Sequence, residues 1–139
     1  MDRCKVITKD MLDKLLEAEP REQGKRILSS IKGFELPFNV LEDTEVANDA
    51  ELHVKEGDLW CCLDGIVNFF VGGKLVKPWT TKCDLHGNPI ELKAKVIEGG
   101  GHIVLRQGDW LWIPPGEPHQ HECKGSSARL IIIKIPSKD

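Results

Sequence analysis

Two histidines, His119 and His121, follow a Pro114-Pro115-Gly116 turn. Alternate residues of a strand point the same way, so both imidazoles lie on one face of the strand they begin. Imidazoles presented from a rigid turn suit metal ligation or proton transfer. The stretch that carries them, Gly108 to His121, reads GDWLWIPPGEPHQH. Its Gly-Asp turn leads into Trp110-Leu111-Trp112-Ile113, the period-two pattern of a strand with two dry faces. Proline, without a ladder N–H, and glycine, with access to left-handed backbone, end that strand. A second stretch holds further candidates. Glu51 and His53 share parity on a predicted strand over Ala50–Val54, and Asp58, Trp60 and Cys62 share a face of the next. The intervening Lys55-Glu56-Gly57 is a turn that can reset the register. Imidazole with carboxylate is a ligand set for first-row divalent ions such as Fe, Mn, Ni or Zn.

The spacing Gly108, five residues, Pro114-Pro115-Gly116, two residues, His119 resembles the second motif of the cupins. Glu51-Leu52-His53, four residues, Asp58, six residues, Gly65 resembles the first. It departs from the common pattern at Glu51, where a histidine usually stands, and at Asp58, where a glutamate does. The Gly72-Gly73-Lys74-Leu75-Val76 hairpin continues a variant small-cupin pattern, E-x-H-x4-D. The resemblance covers roughly residues 36–135. It implies an all-β fold, a double-stranded β-helix or jelly-roll barrel, in which these inward positions meet. It also implies metal-ligand roles for His53, Asp58 and His119. Glu51 takes a ligand's place by position only, and is either a ligand or an acceptor that orients an imidazole. Two histidines with two carboxylates would favour divalent iron, zinc or manganese over soft copper, iron or zinc foremost. His121 lines the pocket or, should Glu51 not bind, completes a three-histidine set. Glu51 and His121 are the candidate acid–base partners.

The elements that must position these residues are short. Residues 8–19 form one helix, N-capped by Thr8, with Met11, Leu12, Leu15 and Leu16 as an apolar stripe and Pro20 as its stop. The stripe packs on the outside of the barrel or on a partner subunit. Residues 26–31 are either strand or short helix. From Phe34 the chain reads as β, with strands near 34–41, 50–54, 59–63, 66–71, 93–97, 102–105 and 129–135. Asp64-Gly65 and Gly72-Gly73 are turn signals. Residues 77–93, with Pro78 and a turn cluster from Asp84 to Pro89, form a long excursion in which Trp79 is a lid or dimer-contact candidate. The chain therefore divides into an N-terminal helix and lead-in, 1–33, and a barrel, 34–139, as one domain overall. Cys61 and Cys62 are adjacent on a strand and must point to opposite faces, so they read as buried packing residues. Trp60, Trp110 and Trp112 could line an apolar pocket or fill the barrel or a subunit interface, and core packing is the expectation for at least two. His86 and His102 lie in turn-rich segments and take no role.

Composition narrows the partners. A formal charge of −3 over 139 residues offers no basic face for nucleic acid. No apolar run is long enough to span a membrane, and the charged N-terminus carries no secretory pattern. Five cysteines in no regular framework fit a reducing, cytoplasmic setting. The expectation is a metal-binding cupin, a divalent-metal-dependent enzyme acting on a small organic molecule, of dioxygenase, isomerase or lyase type. The alternative is a non-catalytic module that holds a metal or small ligand. A purely structural oligomer-former is the weaker third reading, and a homodimer is the expected assembly.

Overall fold

The computed structural model describes residues 3–31 and 34–138. In chain order its elements are α1 (Lys9–Leu15), β1 (Gly24–Ile31), β2 (Phe34–Ala47), β3 (Ala50–His53), β4 (Glu56–Val71) and β5 (Lys74–Val76). They continue with β6 (Trp79–Cys83), β7 (Pro89–Ala94), β8 (Val96–Glu98), β9 (Gly101–Arg106), β10 (Trp110–Ile113) and β11 (His119–Pro136). The fold is all-β and antiparallel, with one N-terminal helix. One sheet follows the order β1-β2-β11-β3-β7-β6, and β4 joins it through β11 while also pairing with β9 and β10. The small β5-β8 ribbon stands apart from that sheet.

The long strands β4 and β11 are the frame. They pair from Val71↔His119 to Glu56↔Pro136, interrupted by an irregularity between Glu122 and Ala128. The sequence predicts two strands separated by a turn at Asp64-Gly65, but β4 runs through both. Gly65 keeps the left-handed backbone expected of a turn, φ +82°, and spends it on a bulge. A Cβ there would stand 2.0 Å from the Ser127 carbonyl oxygen, so only glycine fits. The excursion at 77–93 is likewise ordered. β6 and β7 form a hairpin, closed where Asp84 Oδ1 accepts from the backbone N–H groups of His86 and Asn88 at 2.8 and 2.9 Å. β7 then pairs with β3 and brings the excursion against the site.

Two apolar layers lie on opposite faces of the frame. Leu41, Trp60, Cys62, Phe69, Leu105 and Leu130 pack inside. Val40, Cys61 and Ile131 pack on the other face, covered by Leu28 of β1 and by Ile7 and Leu15. The adjacent cysteines thus divide between the layers as alternation requires. Helix α1 lies on the outer layer, as its stripe implies, but it ends at Leu15 rather than near Glu19. Thr8 caps it, its Oγ1 accepting from Met11 N–H at 3.1 Å. Its early end has a cause: the Arg129 guanidinium donates to the Leu16 carbonyl at 2.9 Å and to that of Ala18, drawing the chain off the helix axis.

The tryptophans correct a second expectation. Only Trp60 is buried; Trp110 and Trp112 are 56% and 48% exposed. Strand β10 pairs with β4 alone, and its Leu111 and Ile113 take the inner positions. The two indoles therefore point outward, and the strand has one dry face, not two.

Candidate metal centre

Cross-strand pairs build the site. Side chains directly opposite on an antiparallel ladder share a face, about 5 Å apart at Cβ. Glu51 of β3 stands opposite His119 of β11, His53 of β3 opposite Glu91 of β7, and Asp58 of β4 opposite Lys134 of β11. The two stretches singled out in the sequence thereby meet inside the barrel.

Four ligand-type side chains converge. His53 Nε2 lies 3.3 Å from Glu51 Oε2 and 3.5 Å from Asp58 Oδ2. His119 Nε2 lies 3.3 Å from Asp58 Oδ2 and 4.0 Å from Glu51 Oε2. The ligand atoms of Glu51, His53 and His119 fall within 4.8 Å of one another. Ligands about 2.1 Å from a zinc-sized ion stand roughly 3.0–3.4 Å apart in tetrahedral or octahedral geometry. The observed spacing is of that size.

The imidazoles are oriented from behind. His119 Nδ1 is 3.0 Å from the Glu117 carbonyl oxygen, which can only accept, so Nδ1 carries the ring proton. Nε2 then faces the cluster, where it is buried and has no hydrogen-bond partner. Lys134 Nζ sits 3.2 Å from His53 Nε2; an ammonium can only donate, so this nitrogen is again the acceptor. The His53 Nδ1 proton faces Glu91 Oε2 at 3.3 Å. Glu91 is itself steadied by the Thr81 hydroxyl, which donates to its Oε1 at 2.7 Å. A carboxylate behind a ligand histidine fixes its tautomer and raises its basicity.

Two carboxylates face the cluster, with the Lys93 ammonium beside Glu51 and the Lys134 ammonium on Asp58. Burial would push the Glu51 carboxyl up, but the His53 imidazole and the Lys93 ammonium outweigh it and hold it at about 2. Asp58 is also held below the ordinary carboxylate value: burial opposes ionisation, and His119 and Lys134 more than offset that. Its Oδ1 accepts from Lys134 Nζ at 2.6 Å, while its buried Oδ2 has no hydrogen-bond partner. Inward lone pairs, two ionised carboxylates and orphaned acceptor atoms fit a divalent metal ion. Glu51 lies on the Nε2 side, where a ligand belongs; the orienting position behind His53 is taken by Glu91.

His121 is placed elsewhere. It shares the face of His119, but its Nε2 lies 3.0 Å from Asp43 Oδ2 and its ring packs on Trp60 and Phe69, with centroids at 4.9 and 5.4 Å. Among the described residues, the group placed to hold a metal ion contains Glu51, His53 and His119 and not His121. Sequence reasoning missed Glu91 and Lys134. Lys134 was within reach, as the one charge in the apolar run Leu130–Ile135 and with the inward parity of Leu130 and Ile132. Glu91 was not, because its place depends on the register of β7 against β3.

No family model matches the sequence, and no curated protein matches it. Two solved structures align with most of the chain. One is a hydroquinone 1,2-dioxygenase from Sphingomonas sp. TTNP3 with 4-hydroxybenzoate bound. It is 14% identical with a TM-score of 0.49, over 96% of this chain and 81% of that one. The other is the hydroquinone 1,2-dioxygenase PnpCD in complex with Cd2+ and 4-hydroxybenzonitrile. It is 15% identical with a TM-score of 0.47, over 97% of this chain and 81% of that one. Among the described residues no helix is long and apolar enough to cross a membrane.

Proposed function

We propose that this chain is a divalent-metal-dependent cupin that acts on a small organic molecule. The observation that carries the reading is the set of acceptor atoms turned toward one another: Nε2 of His53 and His119, Oε2 of Glu51 and Oδ2 of Asp58. His53, His119 and Asp58 hold the ion, and Glu51 is the fourth ligand or, ionised as it is, a base beside it. A bound ion would polarise a substrate oxygen in its open positions. Glu91 and the Glu117 carbonyl keep the imidazoles turned inward, and the surrounding strands limit water. Iron or zinc suits this mixed set of nitrogen and oxygen donors.

Elemental analysis of the purified protein, before and after reconstitution, tests this. Near-stoichiometric iron, zinc, manganese or nickel, lost in both His53→Ala and His119→Ala, is the expected result. Protein that takes up no metal under any of these conditions would sink the reading. Iron would direct activity assays to oxygen chemistry, and zinc or manganese to isomerisation or lysis. One observation favours a second reading, a non-catalytic ligand-binding module: Lys134 already brings a positive charge to Asp58 and His53. A small molecule that raises the melting temperature and is never consumed would support it.

A further inference from the structure

Lys134 belongs to two places at once. Its Nζ is bonded to Asp58 Oδ1 at 2.6 Å, and at 3.2 Å from His53 Nε2 it occupies a lone pair that the metal reading assigns to an ion. The same side chain, 39% exposed, forms part of the wall of a cavity of about 350 Å³. That cavity has a structural origin. The β2–β11 ladder ends at Asn39↔Ile132, whereas β11 continues along β4 to Pro136. β2 diverges beyond Asn39, leaving a gap beside the last residues of β11. Its walls are Leu36, Phe38, Ile132 and Ile133, with Asn39 as the other polar side chain.

We propose that Lys134 is the substrate-anchoring residue of the site. A metal ion on His53 Nε2 and Asp58 Oδ2 displaces the ammonium from His53 and weakens its bond to Asp58 Oδ1, and the freed ammonium turns into the adjoining cavity to hold the anionic group of a small carboxylate with an apolar body. This inference rests on the metal-binding reading above. Two cations cannot share the one lone pair of His53 Nε2, and they repel across the Asp58 carboxylate, so ammonium and metal compete. A flexible lysine stem can redirect its charge by rotating about its own bonds. Apolar walls accept a ring or alkyl body, and a single ammonium assisted by an amide fits one carboxylate. Metal and carboxylate therefore bind with positive coupling, each raising the affinity for the other by the same factor.

The test is calorimetric titration of the metal-stripped, full-length protein with Zn2+, with and without excess benzoate or cyclohexanecarboxylate. Wild type, Lys134→Met, Lys134→Gln and His53→Ala are compared. Lys134→Gln keeps a neutral donor for Asp58, so the test survives if Lys134→Met does not fold. The expected result is Zn2+ affinity tightened about tenfold by either carboxylate in wild type, a coupling of ordinary size. The neutral variants should bind Zn2+ about tenfold more tightly without carboxylate and show no coupling to it.

Wild type that binds Zn2+ through His53, with affinity unchanged by Lys134→Gln and by benzoate, would overturn the inference and leave the metal site standing. Coupling that persists in Lys134→Gln would also overturn it, since the carboxylate would then be binding the ion directly. Absence of Zn2+ binding in wild type and in both neutral variants would remove the metal reading and this inference together.

Discussion

Arg129 donates from Nε to Glu42 Oε2 at 2.9 Å, with both side chains sealed from water and the two positions 87 apart in sequence. Glu42 also accepts from Arg26 Nη2 at 2.9 Å and from the backbone N–H of Arg21 at 3.2 Å. The guanidinium and carboxylate together fasten the segment after α1 to the barrel wall. Removing one member of a buried ion pair strands the other, which typically costs about 3–5 kcal/mol. Arg129→Met should lower the stability measured by urea unfolding by about that amount. The double variant Glu42→Leu/Arg129→Met should recover part of the loss. A single variant as stable as wild type would show that the pair is not the fastening.

Acid should weaken the fold through Glu42 and Asp43. Burial alone would raise both carboxyls, but Arg26, the Arg21 N–H and Arg129 hold Glu42 below 4.5, and His121 and Asn48 hold Asp43 below 3.8. A carboxylate depressed in the folded state is protonated first in the unfolded chain. Its contribution is complete above the unfolded value and is lost as pH falls through the folded one. Unfolding midpoints should be flat above about pH 5 and fall steadily below about pH 4.5. Asp43→Asn should show a shallower acid slope than wild type; an identical slope would exclude Asp43 as a contributor.

Glu91 should matter to metal affinity without touching the metal. Its Oε2 faces the His53 Nδ1 and its Oε1 is held by Thr81. Loss of such an orienting carboxylate commonly weakens metal binding 10–100-fold. Glu91→Gln should do so in a chelator competition, with circular dichroism unchanged, and Thr81→Val should have a smaller effect in the same direction. Unaltered affinity in Glu91→Gln would mean that His53 is oriented by its packing alone.

A tight contact tests the exposed tryptophans. A Cβ on Gly57 would fall 2.1 Å from Trp112 Cη2, within the indole that lies over it. Gly57→Ala should lower stability by about 1–3 kcal/mol, the usual range for overpacking. The effect should nearly vanish in a Trp112→Ser background, a coupling that a double-mutant cycle of thermal unfolding measures. An equal penalty in both backgrounds would place the cost in the backbone instead.

The thiols divide sharply. Cys4 and Cys83 are exposed, while Cys61, Cys62 and Cys123 are buried. Burial pushes the Cys62 thiol up to about 11 and that of Cys123 to about 12. Thiolate is the reactive form. A disulfide reagent should modify two thiols rapidly in native protein and the remaining three only on unfolding. Rapid reaction of all five would contradict the packing of both apolar layers.

Strand parity was enough to put Glu51 with His53 and His119 with His121 on shared faces, because a period of two is a local property of the chain; it was the resemblance that turned those faces inward. Their partners followed a different rule. Glu91 and Lys134 are fixed by which residue of one strand faces which of another, and that register is set by tertiary pairing. Asp64-Gly65 shows the same divide: the dipeptide specifies left-handed backbone, but a turn and a bulge use it equally. His121 was read by parity as His119's companion, and its face was right. What parity could not supply was Asp43, brought to it by β2.

The long strand β11 has a consequence for how the protein is made. It carries His119 near one end and Lys134 near the other, and it pairs with β2, β3 and β4, all far earlier in sequence. Contacts of such separation form slowly, since the intervening chain must first lose its freedom. Glu51, His53 and Asp58 emerge from the ribosome dozens of residues before His119. Of the four donors of the proposed site, a nascent chain therefore presents two carboxylates and one imidazole. On the metal-binding reading the full set comes together only when the final strand has docked, so stoichiometric uptake of an ion would report a completed fold.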